Sequence, residues 1–191
     1  GGDAGADLLD GGSGSDAIIG GEGMDSLLGQ AGNDALQGGA GADQLAGGFG
    51  ADTLDGNDGN DTIWGDVAGL SLAEGGTGVS GPVQIDFLNG GAGDDVLHVG
   101  AGDYASGGTG ADDFALHDIA PGQALMQIMD FNRDEDSLVM QYDASVHTAP
   151  QITVVTDPGS PDATVLLDGV PVAQVLGGAG LTAGDVALQA A

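Results

Sequence analysis

The sequence predicts an all-β fold: a right-handed parallel β-roll of eighteen residues per coil, closed by a β-rich C-terminal segment. Three observations predict it. A nine-residue unit, G-G-x-G-x-D-x-U-x with U a large apolar residue, recurs through the first two-thirds of the chain. It is purest in GGSGSDAII (Gly11 to Ile19) and GGEGMDSLL (Gly20 to Leu28). Composition changes near residue 115, before which lie 33 of the 40 Gly and 20 of the 30 acidic residues. Beyond that point short β-branched and apolar runs take over, and helix signals are few throughout.

The unit continues as GQAGNDALQ from Gly29, GGAGADQLA from Gly38, GGFGADTLD from Gly47 and GNDGNDTIW from Gly56. It returns as GGAGDDVLH from Gly90 and GGTGADDFA from Gly107. Each unit divides into a turn, GGxGxD, and a short strand, xUx. Glycine admits the positive φ of a tight turn and leaves carbonyl oxygens unshielded. Three residues suffice for a strand when each pairs with an identical strand above and below at ~4.8 Å. Two units then make one eighteen-residue coil, with U residues from opposite faces meeting in a thin core.

Alternate units therefore stack. Asp7, Asp25, Asp43, Asp61, Asp95 and Asp112 are expected along one edge, and Asp16, Asp34, Asp52 and Asp86 along the other. Carboxylates ~5 Å apart repel by about 3 kcal/mol per neighbouring pair at an effective dielectric of 20. A divalent cation between successive turns removes that penalty. The shell would be all oxygen, an Asp from each turn with carbonyls of the glycine region: Gly11, Gly14, Gly20, Gly23, Gly38, Gly41, Gly47 and Gly50. Six or more oxygens in a flexible arrangement favour Ca²⁺ over Mg²⁺. Counting gaps between stacked turns predicts about six to eight ions.

Two irregularities interrupt the array. One unit begins at Gly65-Asp66-Val67 and finishes as Asp86-Phe87-Leu88-Asn89, with Ala68 to Ile85 inserted as an expected surface loop. Solenoid insertions map to such loops. Val99 to Ser106 is one residue short; it is read as placing Tyr104 at the Asp position and Ser106 at the apolar position, in a distorted turn with Asp103 as a stand-in ligand.

Residues 1–115 are thus expected to be the repeat roll and 116–191 a flanking segment. In the latter, Ala124 to Phe131, Ser137 to Tyr142, Gln151 to Thr156, Thr164 to Asp168 and Val172 to Leu176 read as strands. A solenoid needs its last coil and edge covered, and this segment stands where such a cap belongs.

The chain carries 30 acidic residues against one basic residue, Arg133, for a formal net charge of −29. That balance excludes nucleic acid and anionic membrane surfaces as partners, both of which require clustered Lys or Arg. No run approaches the roughly 20 apolar residues of a membrane-spanning helix. Apolar residues at fixed register, 41% of the chain, separate it from an acidic disordered tail. Cysteine is absent, so disulfides and thiolate sites are excluded. The chain opens inside a repeat and without Met, which suggests a piece of a longer parent protein.

Other constellations are weaker. Asp130-Phe131-Asn132-Arg133-Asp134-Glu135-Asp136 has the alternating acids of an EF-hand start, but Glu135 stands where Gly is required and Gln141 where Glu is required. An EF-hand is not predicted, and one isolated ion near these residues stays open. His98, His117 and His147 do not fall at zinc spacing and are read as surface or strand residues. No GxSxG, HExxH or phosphate-binding loop is present, and no catalytic role is expected. Trp64 is read as packing beside the inserted loop.

Residues 1–115 resemble the repeats-in-toxin (RTX) family, the hemolysin-type calcium-binding repeats of bacterial secreted proteins, and FALHD…MQIMDFNRDEDSLVM (Phe114 to Met140) resembles a segment that flanks such arrays. The resemblance implies export by type I secretion machinery as an unfolded chain, a C-terminal signal and folding outside the cell on meeting calcium. Val186-Ala187-Leu188 is compatible with such a signal. The expected function is a secreted or cell-surface calcium-binding module that supports secretion and stability of a larger exported protein. The alternatives are an adhesin or glycan-binding module, and the non-catalytic tail of a secreted protease or lipase.

Overall fold

A computed structural model of the chain describes residues 1–66, 85–117, 122–156 and 159–190. The predicted loop, apart from Ile85 at its end, lies outside the described residues. The repeats form β1 (Leu8–Ser13), β2 (Ala17–Glu22), β3 (Ser26–Ala31), β4 (Ala35–Ala40), β5 (Gln44–Phe49), β6 (Thr53–Asp58) and β7 (Thr62–Trp64). They resume as β8 (Phe87–Ala92), β9 (Val96–Val99), β10 (Tyr104–Thr109) and β11 (Asp113–His117).

Most of these strands are six residues long, not the three expected. The extra length comes from the glycine pair of the next unit, which goes on pairing with the neighbouring coil, as in Gly12 opposite Gln30 and Gly39 opposite Asn57. Gln30 and Asn57 stand where the unit's second Gly belongs and keep its positive φ, at 78° and 74°.

Odd and even strands separate into two parallel sheets. One runs β1-β3-β5-β7-β9-β11, and the other is the stack β10-β8-β6-β4-β2. The chain is therefore an all-β parallel roll with two strands per coil. Register is set by the apolar position. Leu9, Leu27, Leu45, Ile63, Leu97 and Phe114 are successive partners in the first sheet. Ile18, Leu36, Leu54, Leu88 and Ala105 are partners in the second. All but the terminal Leu9 are buried. Partners are eighteen residues apart until the insertion, where Leu54 meets Leu88 across 34 residues without loss of register.

Both sheets continue past residue 115 through β12 (Met126–Ile128), β13 (Ser137–Tyr142), β14 (Ile152–Thr156), β15 (Ala163–Leu167), β16 (Val170–Val175) and β17 (Val186–Ala190). The first sheet ends β11-β13-β17, all parallel. The second passes from β10 to β12 and β16, then turns antiparallel through β15 and β14. Of the expected strands only Ser137–Tyr142 has unchanged bounds; Ala124 to Phe131 shrinks to three residues. β17, unforeseen as a strand, fills the edge of β13. Phe114, Met126, Ile128, Leu138, Met140, Val165, Leu167 and Val186 belong to the same buried cluster as the repeat leucines.

Candidate metal centre

The Asp that ends each turn stands just before its strand, where pairing fixes its backbone: the amides of Ser26 and Ala35 donate to the carbonyls of Asp7 and Asp16 at 2.8 and 2.9 Å. The same stacking aligns the carboxylates. The Asp7 amide donates to Oδ1 of Asp25, Asp25 to Asp43, and Asp43 to Asp61, each at 2.8 Å. Asp61 donates to Asp95 at 2.7 Å and Asp95 to Asp112 at 3.0 Å. On the other edge Asp16 donates to Asp34, Asp34 to Asp52, and Asp52 to Asp86, each at 2.8 Å. Two rows of carboxylates result, one along each edge of the roll.

These contacts use only one oxygen per carboxylate. Oδ2 of Asp16, Asp25, Asp34, Asp43, Asp52, Asp61, Asp86 and Asp95 is buried and has no hydrogen-bond partner. A buried charged oxygen without a partner is expensive, and eight in register amount to a systematic demand for a cation. Backbone oxygens converge on the same places. A methyl group on Gly20 would lie 2.5 Å from both Asp25 Oδ2 and the Gly38 carbonyl oxygen. On Gly29 it would lie 2.5 Å from Asp34 Oδ2 and 2.6 Å from the Gly47 carbonyl, and on Gly11 3.0 Å from Asp16 Oδ2 and from the Gly29 carbonyl. The first glycine of the unit is thus required by space, because a side chain would fill the gap between these oxygens.

The fourth-position glycines are arranged differently. The carbonyls of Gly14, Gly23 and Gly41 press against Gly32, Gly41 and Gly59 of the next coil, and Gly50 sits over the Gly32 carbonyl. They line the same turns, with the oxygens pointing along the stack. Among the described residues no group of three or more His, Asp or Glu side chains converges. A cation here must therefore draw on backbone carbonyls as well as carboxylates. Hard oxygen donors in a pliable glycine turn fit Ca²⁺.

Electrostatics agree. Burial raises the carboxyl pKa of Asp61, Asp95 and Asp103 to about 6 and of Asp86 to about 8; the hydrogen bond that each accepts from a backbone amide, two for Asp103, lowers it in part, and neighbouring carboxylates add to the rise. Asp43, Asp52 and Asp112 shift upward for the same leading reason. No internal basic group relieves them. Arg133, the chain's single Lys or Arg, is paired with Asp185 at 2.9 Å.

The shortened unit corrects the sequence reading. Asp103, and not Tyr104, occupies the Asp position, accepting the Asp86 amide at 3.0 Å, and Ala105, not Ser106, is the buried apolar residue paired with Leu88. The missing residue is lost from the turn, since strand register is enforced by the core and the turn is the cheaper place to shorten. Asp103 Oδ2 accepts the Gly100 amide at 2.8 Å, so this carboxylate uses both oxygens. Tyr104 faces outward and stacks on Phe87 with ring centroids 5.2 Å apart.

Two further acids complete the first row. Asp136 accepts the amides of Asp112 at 3.1 Å and Asn132 at 2.7 Å, and Asp130 accepts those of Gly107 and Gly108 at 2.9 and 3.0 Å. The EF-hand-like alternation of acids was their only signal in the sequence. Their role here is to close the last turn.

The chain matches the RTX calcium-binding nonapeptide repeat in four copies, at residues 1–36, 19–54, 37–67 and 84–104. No curated protein matches it. Among solved structures it is similar to the AlgE6R3 subunit of the Azotobacter vinelandii mannuronan C5-epimerase, at 22% identity and a TM-score of 0.26, covering 96% of this chain and 78% of that one. It is also similar to the extracellular lipase LipA from Serratia marcescens, at 18% identity and a TM-score of 0.35, covering 92% of this chain and 38% of the lipase. Neither likeness bears on activity.

Proposed function

Because the repeat array of this chain belongs to the RTX calcium-binding nonapeptide repeats, we propose that it is a calcium-dependent module that folds outside the cell and supports the export and stability of a larger protein. One observation carries the reading: eight buried Asp Oδ2 atoms without partners, in two rows. The residues that would hold the ions are those Asp together with Asp7 and Asp112, and the turn carbonyls of Gly11, Gly14, Gly20, Gly23, Gly38, Gly41, Gly47 and Gly50. Bound calcium would supply the positive charge between rungs. The eight orphaned oxygens support a count of about six to eight ions.

The chain's own residues then explain coupled folding. With a net charge of −29 the ion-free chain resists compaction. Ions that bind the folded state alone stabilise it by mass action, so a calcium-poor interior keeps the chain extended for passage through type I machinery. Residues 116–191 act as the cap, covering the last coil and supplying β17 to the sheet edge. Any catalytic activity belongs to other parts of the parent protein. Circular dichroism during calcium titration from excess chelator tests this; a chain already fully β-structured in chelator sinks it.

A second reading, attachment to a surface or glycan, is favoured by a groove on the outer face of the second sheet. Phe87, Tyr104 and Met129, all exposed, line it together with Asp55, Asn89 and Ser106. Retention on immobilised neutral glycans, lost in Tyr104→Ala, would support that reading over a purely structural module.

A further inference from the structure

His98 and His117 are nineteen residues apart in sequence, yet the first sheet brings them together on its outer face. Nδ1 of His98 stands 3.3 Å from Nε2 of His117. Trp64, the register partner of His98 on β7, stacks against it with ring centroids 5.1 Å apart and planes 11° from parallel. The two imidazoles are 5.5 Å apart between centroids and tilted by 32°. Both are half-buried, so solvent reaches them while their rotation is restricted.

We propose that His98 and His117 form a two-nitrogen binding site for a transition-metal ion of the zinc, nickel or copper(II) class, separate from the carboxylate rows. Metal–imidazole bonds of about 2.0–2.1 Å place two nitrogens 3.3 Å apart at an angle of roughly 107° at the ion, close to tetrahedral. Imidazole suits these ions, whereas Ca²⁺ takes oxygen. Calcium therefore does not compete for the imidazole site.

The protonation state is favourable. Burial, with the charge of His117 beside it, lowers the His98 pKa to about 4, and burial lowers that of His117. Both rings are neutral at pH 7, each with one N–H. In the ion-free pair one facing nitrogen donates to the other. On binding, each ring carries its N–H on the far nitrogen, and no net proton is lost. Among the described residues no third His, Asp or Glu converges there, so the two imidazoles are the ligands that the site offers. Stacking on Trp64 holds the His98 ring, which reduces the ordering cost of binding. The strongly acidic surroundings raise the local concentration of cations.

The test uses the intact chain in excess CaCl₂, so that carboxylates are already engaged. Titration calorimetry with ZnCl₂ should show one equivalent that His98→Gln and His117→Gln each abolish, with calcium stoichiometry and circular dichroism unchanged. Trp64 is the chain's single tryptophan, so its fluorescence reports on this place alone. NiCl₂ should quench it saturably in the parent chain and not in either variant. Zinc heat and nickel quenching that are absent, or the same in the His98→Gln/His117→Gln double variant, would overturn the site and leave the imidazole pair as a hydrogen bond only.

Discussion

The amide of Asp86 donates to Oδ1 of Asp103 at 3.0 Å, which carries the second carboxylate row across a unit that lacks one residue. Asp103→Ala should therefore loosen the end of that row and weaken the calcium site at Asp86. Tyr104→Phe, which keeps the stack on Phe87, should leave calcium binding unchanged. Calorimetric titration of both variants checks this, and equal loss in the two would contradict the observed register.

Asp34 joins Asp16 and Asp52, through its Oδ1 and its amide respectively. Asp34→Ala should weaken two adjacent calcium sites on this edge and spare the opposite row. Site-resolved calcium titration by NMR distinguishes the rows. Equal weakening on both edges would refute their independence.

Gly29 lies between Asp34 Oδ2 and the Gly47 carbonyl oxygen, and its φ is not in the positive range. Gly29→Ala therefore probes space alone. The added methyl should cost at least one bound ion and lower the calcium-loaded melting temperature. Loss of β-structure only in chelator, with calcium binding intact, would argue that the gap is not a ligand cradle.

The metal-free roll should respond to pH in an unusual direction. Folded-state pKa values of about 6 for Asp61, Asp95 and Asp103 and about 8 for Asp86 exceed the ordinary 3.8. Between those limits the folded state binds more protons than the unfolded one, so stability falls as pH rises from about 4 to 8. In chelator, β-structure by circular dichroism should grow on acidification from pH 8 toward 5. Calcium affinity should fall over the same interval as protons compete for the carboxylates. A metal-free chain that gains structure with rising pH would contradict the burial of these groups.

Leu45 is fully buried in the first sheet between Leu27 and Ile63. Leu45→Ala should destabilise the calcium-loaded protein by about 2–5 kcal/mol, as cavity-forming substitutions do. Denaturant unfolding in saturating calcium measures it. Arg133→Ala breaks an exposed pair with Asp185 and should leave stability nearly unchanged.

The nine-residue period by itself determined the repeat architecture, the two apolar columns and the alternation of Asp between edges. Each depends on a local spacing that recurs, and parallel stacking converts equal spacing directly into contact. The carboxylate rows were legible for the same reason. Only the tertiary structure decided where a deletion is absorbed, because core register at Ala105 outweighs turn length and moves Asp103 into line. It alone placed β17 against β13 across 48 residues of chain from Leu138 to Val186, a pairing with no repeat to announce it. It also brought His98 and His117 within 3.3 Å, since cross-strand neighbours on an outer face share no sequence spacing that a metal motif would reveal.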